Sequence, residues 1–440
     1  MLSILLFLGS YISGLIGGFF YRPIYIFVLY ELVYFFNPGN RWWGKMIPDV
    51  SYSFFVVLMM ALMLVANYSK LKKNHLMKVS QFKFALLLLC LYAVASSFAV
   101  YPEEHAKALK YFAKLLVIIF IAYKLCGCKK SLDLVLYGYI AGAWYLSFYI
   151  FQVGRNSGGR VEGVGTVDSP DANGVAAALA PSLVLALYYY WVNTKINLKL
   201  IFALAGIFIA NALILISSRG AFLGVAVSVV FFLFYMFFSS FQRKNQKFSV
   251  VFILVAGLGG GVYLADDAFI DRMLTIKQEQ QVDVEKESGG TRVYFWRAAI
   301  DIAVDYPMGS GYRGFNFYAP RYLPEDLDTG GSRSRSVHST WFEALTEIGY
   351  IGFLALVGML ALSLLSLNKV KRDVRAKGLV DDYFKMIALQ ASLIAFVVCM
   401  TFINRLRAEI LYWLVLYSAI AYNVYILKCN EKGIKDSVAN

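Results

Sequence analysis

Long apolar runs separated by short polar connections extend along most of this chain of 440 residues. A helix needs roughly 20 apolar residues to cross the hydrocarbon core of a bilayer, within a range of about 17–25. Runs that approach this length occupy residues 3–20, 23–36, 52–67, 83–101, 109–126, 132–153, 172–192, 198–217, 220–239, 248–265, 341–367, 386–404 and 408–427. The pattern predicts an all-α polytopic membrane protein with about 12–13 transmembrane helices. The number is open because the first two runs, divided by Pro23, are either two helices or one hairpin that does not fully cross.

Residues 266–340 form the only long polar stretch between apolar runs. Within it, TRVYFWRAAIDIAVDYP places apolar residues at helical spacing, which suits a helix lying on the membrane surface, and Pro307 ends the pattern. The spaced residues are Val293, Trp296, Ile300 and Ala303. We therefore expect one integral-membrane domain over residues 1–440, in which 266–340 is a loop subdomain with short amphipathic helices and part of the functional site.

Composition excludes a large soluble protein. The chain is 59% hydrophobic and 16% charged, whereas soluble globular chains are about 45–50% apolar and about 25% charged. No basic residue precedes Arg22, so the first run lacks the positive region of a signal peptide and we expect it to be retained. The spacing of the five cysteines predicts neither a zinc site nor a disulfide framework.

Lysines and arginines are concentrated in different connections, and the two kinds of connection alternate along the chain. Because positive charge marks cytoplasmic connections, we expect the lysine-rich ones in the cytoplasm, namely residues 68–82, 127–131, 193–199, 240–247, 368–385 and the C-terminal tail. The connections expected on the opposite side are residues 37–51, 102–108, 154–171, 218–219, 266–340 and 404–407. Thirteen crossings place the N-terminus on that opposite side, and twelve place it in the cytoplasm.

The opposite side holds 13 of the 17 arginines but only 6 of the 25 lysines. A guanidinium group binds phosphate through a planar fork, whereas an ammonium group acts as a point charge. Arginines kept on the side that positive charge disfavours therefore indicate an anionic ligand. Contact with lipid headgroups is the alternative explanation for any single arginine.

Two arginines stand out as anion ligands. Arg219 lies in ILISSRGAFLG at the mouth of a helical hairpin, and the glycine after it lets a ligand approach the backbone. Arg160 lies in a loop with five glycines that can wrap around a ligand. Asp168 and Asp171 follow at the start of the next helix, where they are candidates for a chemical role or, alternatively, for helix capping and turn formation.

His338 is one of only three histidines, and it stands in SRSRSVHSTWFEALTEIGYIG just before an apolar helix. An imidazole at a membrane surface can accept a proton from a hydroxyl group while nearby arginines hold a phosphate. This combination indicates an enzyme acting on a lipid-linked anionic substrate. Either Glu343 or Glu347 could orient His338 or form a structural ion pair with an arginine. The possible supporting residues are Arg313, Arg333, Arg335, Glu343, Glu347 and Asp168.

Several of these segments together resemble the bacterial O-antigen ligase and polymerase superfamily. The matching pieces are SSRG at 217–220, the segment from Arg160 to Asn173, WRAAIDIAVDYPMGSGYRGFNFY at 296–318 and HSTWFEALTEIGYIG at 338–352. They cover the C-terminal two-thirds of the chain in the order of the family. The N-terminal FFYRPIYIFVLYELVYFFNPGNRW looks like the subgroup found with exosortase systems.

The resemblance implies transfer of a glycan from undecaprenyl diphosphate, with inversion of the anomeric centre and without a metal or other cofactor. It places the active site at the periplasmic face of the bacterial inner membrane. Arg160 and Arg219 would hold the diphosphate, and His338 would activate or position the acceptor hydroxyl. The implied partners are the undecaprenyl-diphosphate-linked glycan, a glycan, lipid or protein acceptor, and membrane lipids, but no nucleic acid.

The choice of acceptor stays open between an O-antigen ligase, a polysaccharide polymerase and a protein O-oligosaccharyltransferase. The chain ends soon after its last apolar run, which makes a protein acceptor the less expected of these. A transporter or flippase for lipid-linked saccharides is the alternative from a different class. A transporter would place charged groups near the bilayer midplane, whereas here they cluster at one side.

Overall fold

The computed structural model describes residues 2–155, 159–274, 289–327, 329 and 332–428. These residues form α-helices joined by turns and short helical segments, with no strand among them, which confirms the all-α prediction. The α-helices are α1 (Leu2–Ile16), α2 (Ile24–Phe36), α3 (Tyr52–Ala66), α4 (Tyr68–Leu71), α5 (Ser80–Ala95), α6 (Pro102–Leu125), α7 (Lys129–Val153), α8 (Ala172–Val192), α9 (Ile196–Ile216), α10 (Arg219–Phe238), α11 (Gln246–Leu264), α12 (Asp267–Leu274), α13 (Gly289–Asp305), α14 (Gly314–Tyr322), α15 (Thr340–Ala376), α16 (Val380–Met400) and α17 (Glu409–Tyr422).

Each predicted span coincides with one helix, but not every one of these helices qualifies as a membrane crossing. Among the described residues, 9 helices are long and apolar enough to cross a membrane, or up to 10 if α3 and the bent segment after it count as one span. The number is below the predicted 12–13 because α2 and α5, with 13 and 16 residues, are only about 20 and 24 Å long. In addition, α6 carries Lys107, Lys110, Lys114 and Lys124 besides Glu103 and Glu104, so every stretch of span length in it holds several charges.

The first two helices run between opposite ends of the bundle. Phe7 of α1 packs on Trp43 with ring centroids 5.5 Å apart, whereas Arg22, after α1, donates to Cys128 Sγ at 3.1 Å. Trp43 and Cys128 lie in connections that the lysine pattern assigns to different sides. The two runs are therefore separate helices, and α1 begins at the end that a thirteen-helix arrangement requires.

The connections meet in two groups, as the charge pattern predicts. One end, here called the lysine face, joins 67–79, 126–128, 193–195, 239–245 and 377–379 through contacts such as Lys129 with Asp382 and Arg375 with Ser240, each 2.8 Å long. The other end, the site face, joins the described residues of 37–51, 96–101, 154–171, 217–218, 265–339 and 401–408. Its contacts include Asn37 with Gly165 O at 3.2 Å and Val100 N with Ser310 O at 3.1 Å.

The loop subdomain has a small apolar core of its own. The predicted surface helix is α13, which ends at Asp305 before Pro307. The core of the subdomain is formed by Phe295, Ala298, Ala299, Ile302, Phe315, Ala319, Leu323 and Val337. Of the predicted stripe, Val293 and Ile300 are exposed and Ala303 is buried. The helix therefore has two apolar faces, one packed in the subdomain and one on its surface, and the predicted stripe combined residues of both.

A kink divides α15 where the subdomain meets the bundle. Ile348 and Gly349 have non-helical backbone angles, and Gly349 has φ +67°. A Cβ atom there would lie 2.2 Å from Pro307 O, so glycine is required by conformation and by space. Tyr350 N donates to the same carbonyl at 3.1 Å. The kink thus fixes the loop subdomain against the start of α15.

Candidate active site

The backbone at His338 is held in an unusual conformation. Its φ is +49°, which is uncommon for residues other than glycine, although histidine is enriched among the exceptions. The neighbours Val337 and Ser339 are 1% and 0% exposed, and Ser339 N donates to Asn404 Oδ1 at 3.0 Å. The imidazole is only partly buried, with Nε2 3.4 Å from Ser336 Oγ. The fold therefore fixes the backbone while the ring remains accessible.

Residues 401–408, here called the 401–408 turn, join α16 to α17 and hold the start of α15. Thr340 Oγ1 donates to Ile403 O at 2.7 Å and accepts from Arg405 N at 2.9 Å. Leu406 N donates to Glu343 Oε2 at 3.1 Å. The residues that directly follow His338 are therefore anchored to one short turn.

The same turn contacts the segment that contains Arg219. Arg219 is the first residue of α10, and a Cβ atom on Gly220 would lie 3.1 Å from Phe402 Cβ. Phe402 and Asn404, two positions apart, thus contact the immediate neighbours of Arg219 and His338. The positive end of the α10 dipole adds to the charge of Arg219, and the N-terminus of a helix favours anions. The segments that contain these two predicted site residues therefore contact the same short turn.

The loop that contains Arg160 lies over the end of α9, directly before Arg219. Val161 N donates to Leu215 O at 3.2 Å, and Arg155 donates to Ile214 O at 3.2 Å. Arg160 itself pairs with Glu162 at 2.6 Å, with side-chain exposures of 26% and 54%. An exposed pair of this kind is worth about 0–1 kcal/mol, so a diphosphate can displace Glu162. The role of Arg160 in binding diphosphate stays a prediction.

The acidic residues of the same loop are structural. Asp171 caps α8 by accepting from Gly174 N at 2.8 Å and also pairs with Arg405. Asp168 accepts from Tyr34 Oη at 2.5 Å and from Glu409 N at 2.8 Å. Capping, which the sequence left as one alternative, is confirmed for Asp171, and Asp168 connects α2 with α17.

A buried ionic network lies beside the kink of α15. Arg407 pairs with Glu343 at 3.0 Å and with Glu347, and its guanidinium also contacts Tyr92 Oη. The side chains of Arg407, Glu343 and Glu347 are 11%, 6% and 5% exposed. Burial lowers the pKa of Arg407, but the two carboxylates more than reverse this and raise it above its ordinary value. The sequence left two roles for Glu343 and Glu347, which were to orient His338 or to form an ion pair with an arginine. The structure shows the ion pair.

His105 and Arg313 attach the loop subdomain to this network. Nδ1 of His105 accepts from Tyr312 N at 2.9 Å, so its Nε2 donates to Tyr92 O at 2.8 Å. Arg313 N donates to Glu347 Oε1 at 3.1 Å, and its side chain pairs with Glu104 at 3.1 Å on the surface. Both residues therefore support the position of the loop.

Arg333 and Arg335 stabilise the loop subdomain from inside. Arg333 donates to three carbonyl groups after α14, among them Leu323 O at 2.8 Å. Arg335 donates to Thr291 Oγ1 at 2.9 Å, and its guanidinium lies 4.6 Å from the centre of the Phe295 ring. These contacts fix the segment that ends at His338, and a role toward a phosphate stays a prediction for both arginines.

The sequence did not single out Arg405, Arg407, Tyr92 or Glu409. Glu409 is buried and accepts from Tyr30 Oη at 2.8 Å. One signal was present, because two arginines stand in a short turn between apolar helices, on the side that positive charge disfavours. The tyrosines gave no signal, since aromatic residues are common throughout the chain.

Comparison with known proteins agrees with this arrangement. The family model described as O-antigen ligase matches residues 204–357, about a third of the chain. The matched segment begins within α9, contains Arg219 and His338, and ends beyond the kink of α15. The search of curated proteins gives no match. The chain is therefore a multi-pass membrane protein that matches the O-antigen ligase family over the segment that contains Arg219 and His338.

Proposed function

We propose that this protein is an inverting, metal-independent glycosyltransferase that moves a glycan from undecaprenyl diphosphate to an acceptor hydroxyl. The observation that supports the proposal is the 401–408 turn, which contacts the immediate neighbours of both Arg219 and His338 at the site face. The family match supports the reaction class. An anion-binding helix terminus beside an accessible imidazole is the arrangement that this reaction requires.

The diphosphate is bound by charge. Arg219 and the N-terminus of α10 face the phosphate groups, and Arg160 approaches from the loop that lies over the end of α9. Guanidinium forks neutralise the negative charge that grows on the diphosphate as it leaves. For this reason the leaving group needs no proton from a general acid.

His338 acts on the acceptor. Its imidazole accepts the hydroxyl proton while the oxygen attacks the anomeric carbon from the face opposite the diphosphate. The new glycosidic bond forms as the bond to the diphosphate breaks, which inverts the anomeric centre and releases undecaprenyl diphosphate. The proton on the imidazole then passes to water.

Removal of the diphosphate-binding arginines tests this assignment. We expect Arg219→Ala and Arg160→Ala each to reduce donor use by about ten- to a hundred-fold, because charge-assisted hydrogen bonds contribute about 1.5–3 kcal/mol each. Replacement by lysine should restore only part of the activity, since the planar fork is lost. Donor titrations of the purified variants measure the effect.

Arg243→Ala is the matched control, because Arg243 pairs with Asp381 at the lysine face. It should leave donor use unchanged. Full activity of both lysine variants would show that charge alone is sufficient and that the bidentate arrangement is wrong.

Chelation tests the absence of a metal. Metal independence is what the resemblance to the O-antigen ligase superfamily implies, and the test is needed because Asp326, Leu327 and Asp328 have DxD spacing in the loop subdomain. We expect transfer to continue at an unchanged rate in excess EDTA. Loss of transfer on chelation, followed by recovery with Mg²⁺ or Mn²⁺, would contradict this expectation.

The orientation in the membrane is a further part of the proposal. We place the site face in the periplasm of a bacterial inner membrane and the lysine face in the cytoplasm, because lysine supplies the positive charge that stays inside. Single cysteines introduced into 266–340 should react with a membrane-impermeant reagent in intact cells, and those in 368–385 should not. The reverse labelling pattern would place the active site in the cytoplasm.

Reconstitution distinguishes transfer from transport. We expect vesicles with the purified protein and a polyprenyl-diphosphate glycan to form a new glycosidic bond to an added acceptor, whether glycan, lipid or protein. Glu31, a buried carboxylate within α2 that accepts from Tyr417 Oη at 2.6 Å, is an observation that favours transport. Movement of the donor across the vesicle without bond formation would favour transport. The nature of the acceptor that is used separates ligase, polymerase and protein-glycosylating activities.

A further inference from the structure

A second site lies at the lysine face, at the opposite end of the bundle from His338. It is a cavity of about 330 Å³ between the ends of α10 and α15, both of which pack on α16. Its lining residues are Tyr235, Asn368, Lys371, Arg372, Arg375 and Tyr383. Three of the six are cations and none is an acid, so the cavity is positively charged.

The cations of the cavity differ from four others at the lysine face that pair with carboxylates, namely Lys129 with Asp382, Arg243 with Asp381, Lys377 with Asp373 and Lys385 with Asp133. In the part of the chain that the structure describes, the three cations of the cavity form no such pair. Lys371 donates to Gln390 Oε1 at 3.2 Å, and Arg375 donates to Ser240 Oγ at 2.8 Å. Both acceptors are neutral oxygen atoms, so these hydrogen bonds leave the positive charge of Lys371 and Arg375 in place.

The cavity is continuous with a lipid-facing surface. Phe234 and Phe238, on either side of Tyr235 in α10, are 56% and 68% exposed. On α15, Leu365 is 59% exposed and lies two turns before Arg372 on the same side of the helix. The exposed apolar residues thus lie next to the cations, as the acyl chains of a lipid lie next to its headgroup.

We propose that this cavity binds the phosphate headgroup of an anionic phospholipid from the leaflet at the lysine face. Arg372 and Arg375, both exposed, hold the phosphate, and Lys371 adds a point charge from the half-buried wall. The tyrosines lie where aromatic residues with a polar end are favoured, at the boundary between acyl chains and headgroups. Basic pockets between helices at the cytoplasmic end are a recognised form of lipid site.

Native mass spectrometry of the full chain in detergent tests this site. Phosphatidylglycerol is titrated against the wild-type protein and against the Arg372→Gln/Arg375→Gln and Lys371→Gln/Arg372→Gln/Arg375→Gln variants. We expect one tightly bound lipid on the wild-type protein and binding weaker by about tenfold or more in both variants, because charge-assisted hydrogen bonds are lost. Phosphatidylcholine should bind weakly to all proteins.

The matched control removes the same charge from the same face. Lys70→Gln/Lys72→Gln/Lys73→Gln changes three exposed lysines outside the cavity and should keep wild-type lipid binding. Equal loss in this control would show a general surface effect and overturn the site. Inorganic phosphate is the second arm, and binding as tight as that of phosphatidylglycerol would identify a soluble phosphate instead of a lipid. The double variant changes only exposed side chains, so its helix content and elution profile should match the wild type. These readouts do not depend on glycan transfer.

Discussion

Glycan transfer should be abolished in His338→Ala and His338→Asn, while both proteins remain folded and still bind the lipid-linked donor. A positioned base contributes about 10²–10⁴-fold to such a reaction, and no other single residue of the proposed site carries the proton. The arginines that hold the diphosphate are unchanged in these variants, so donor binding should persist. Transfer rate and donor binding, measured on the same preparation, separate the two effects.

His338→Asn separates loss of the imidazole from a change in the backbone, whereas His338→Ala combines the two. His338 has a left-handed backbone, and alanine tolerates this conformation poorly, whereas asparagine is enriched there. Loss of transfer in a stable His338→Asn protein therefore reports on the imidazole and not on the backbone. His75→Ala, an exposed histidine at the lysine face, is the control and should keep full activity. Near-normal turnover in His338→Asn would make the histidine structural and move the search for the base to Asp168, Glu343 or Glu347.

Arg407→Met should produce the largest loss of stability of any single substitution that we consider. Removal of one partner of a buried ion pair costs about 3–5 kcal/mol, because the remaining charge is left in a medium of low dielectric constant. Here two carboxylates, Glu343 and Glu347, lose their common cation. Thermal unfolding in detergent should show a strongly lowered midpoint.

Two comparisons make this result specific. Lys377→Met breaks an exposed pair with Asp373 and should have little effect, since such pairs are worth about 0.3–0.5 kcal/mol. Addition of Glu343→Gln and Glu347→Gln to Arg407→Met should recover part of the stability, because the unpaired charges are then gone. An Arg407→Met midpoint equal to that of Lys377→Met would show that the network does not stabilise the fold.

Hydropathy predicted the positions of the helices well because a membrane-spanning helix carries its signal within one continuous run. It gave more helices than the nine or ten that, among the described residues, are long and apolar enough to cross a membrane by themselves, since α2 is short and α6 carries several charged residues. The sorting of lysine and arginine predicted which connections would meet. That prediction succeeded because the side on which a loop lies is decided by its own composition.

The site was predicted in part, for a physical reason. Arg219 and His338 were recognisable because a charged or titratable residue at the edge of an apolar run has few structural explanations. The contact of both segments with the 401–408 turn could not be predicted, because it joins Gly220 with Phe402 and Ser339 with Asn404 across long separations in the sequence. The left-handed backbone at His338 was also hidden, since it results from the buried residues on either side. Pairings of this kind are properties of the packed bundle.

The 401–408 turn also bears on how the chain is assembled. If the lysine face is cytoplasmic, Arg405 and Arg407 must be translocated across the bilayer against the tendency of positive residues to remain inside. Their counter-ions, Asp171, Glu343 and Glu347, all precede them in the sequence and so leave the ribosome first. The hairpin of α16 and α17 therefore enters a bundle in which the acidic partners of its turn are already in place. Insertion of this last hairpin is then the step that completes the site, and a nascent chain that ends before α16 has the histidine but not the turn that anchors it.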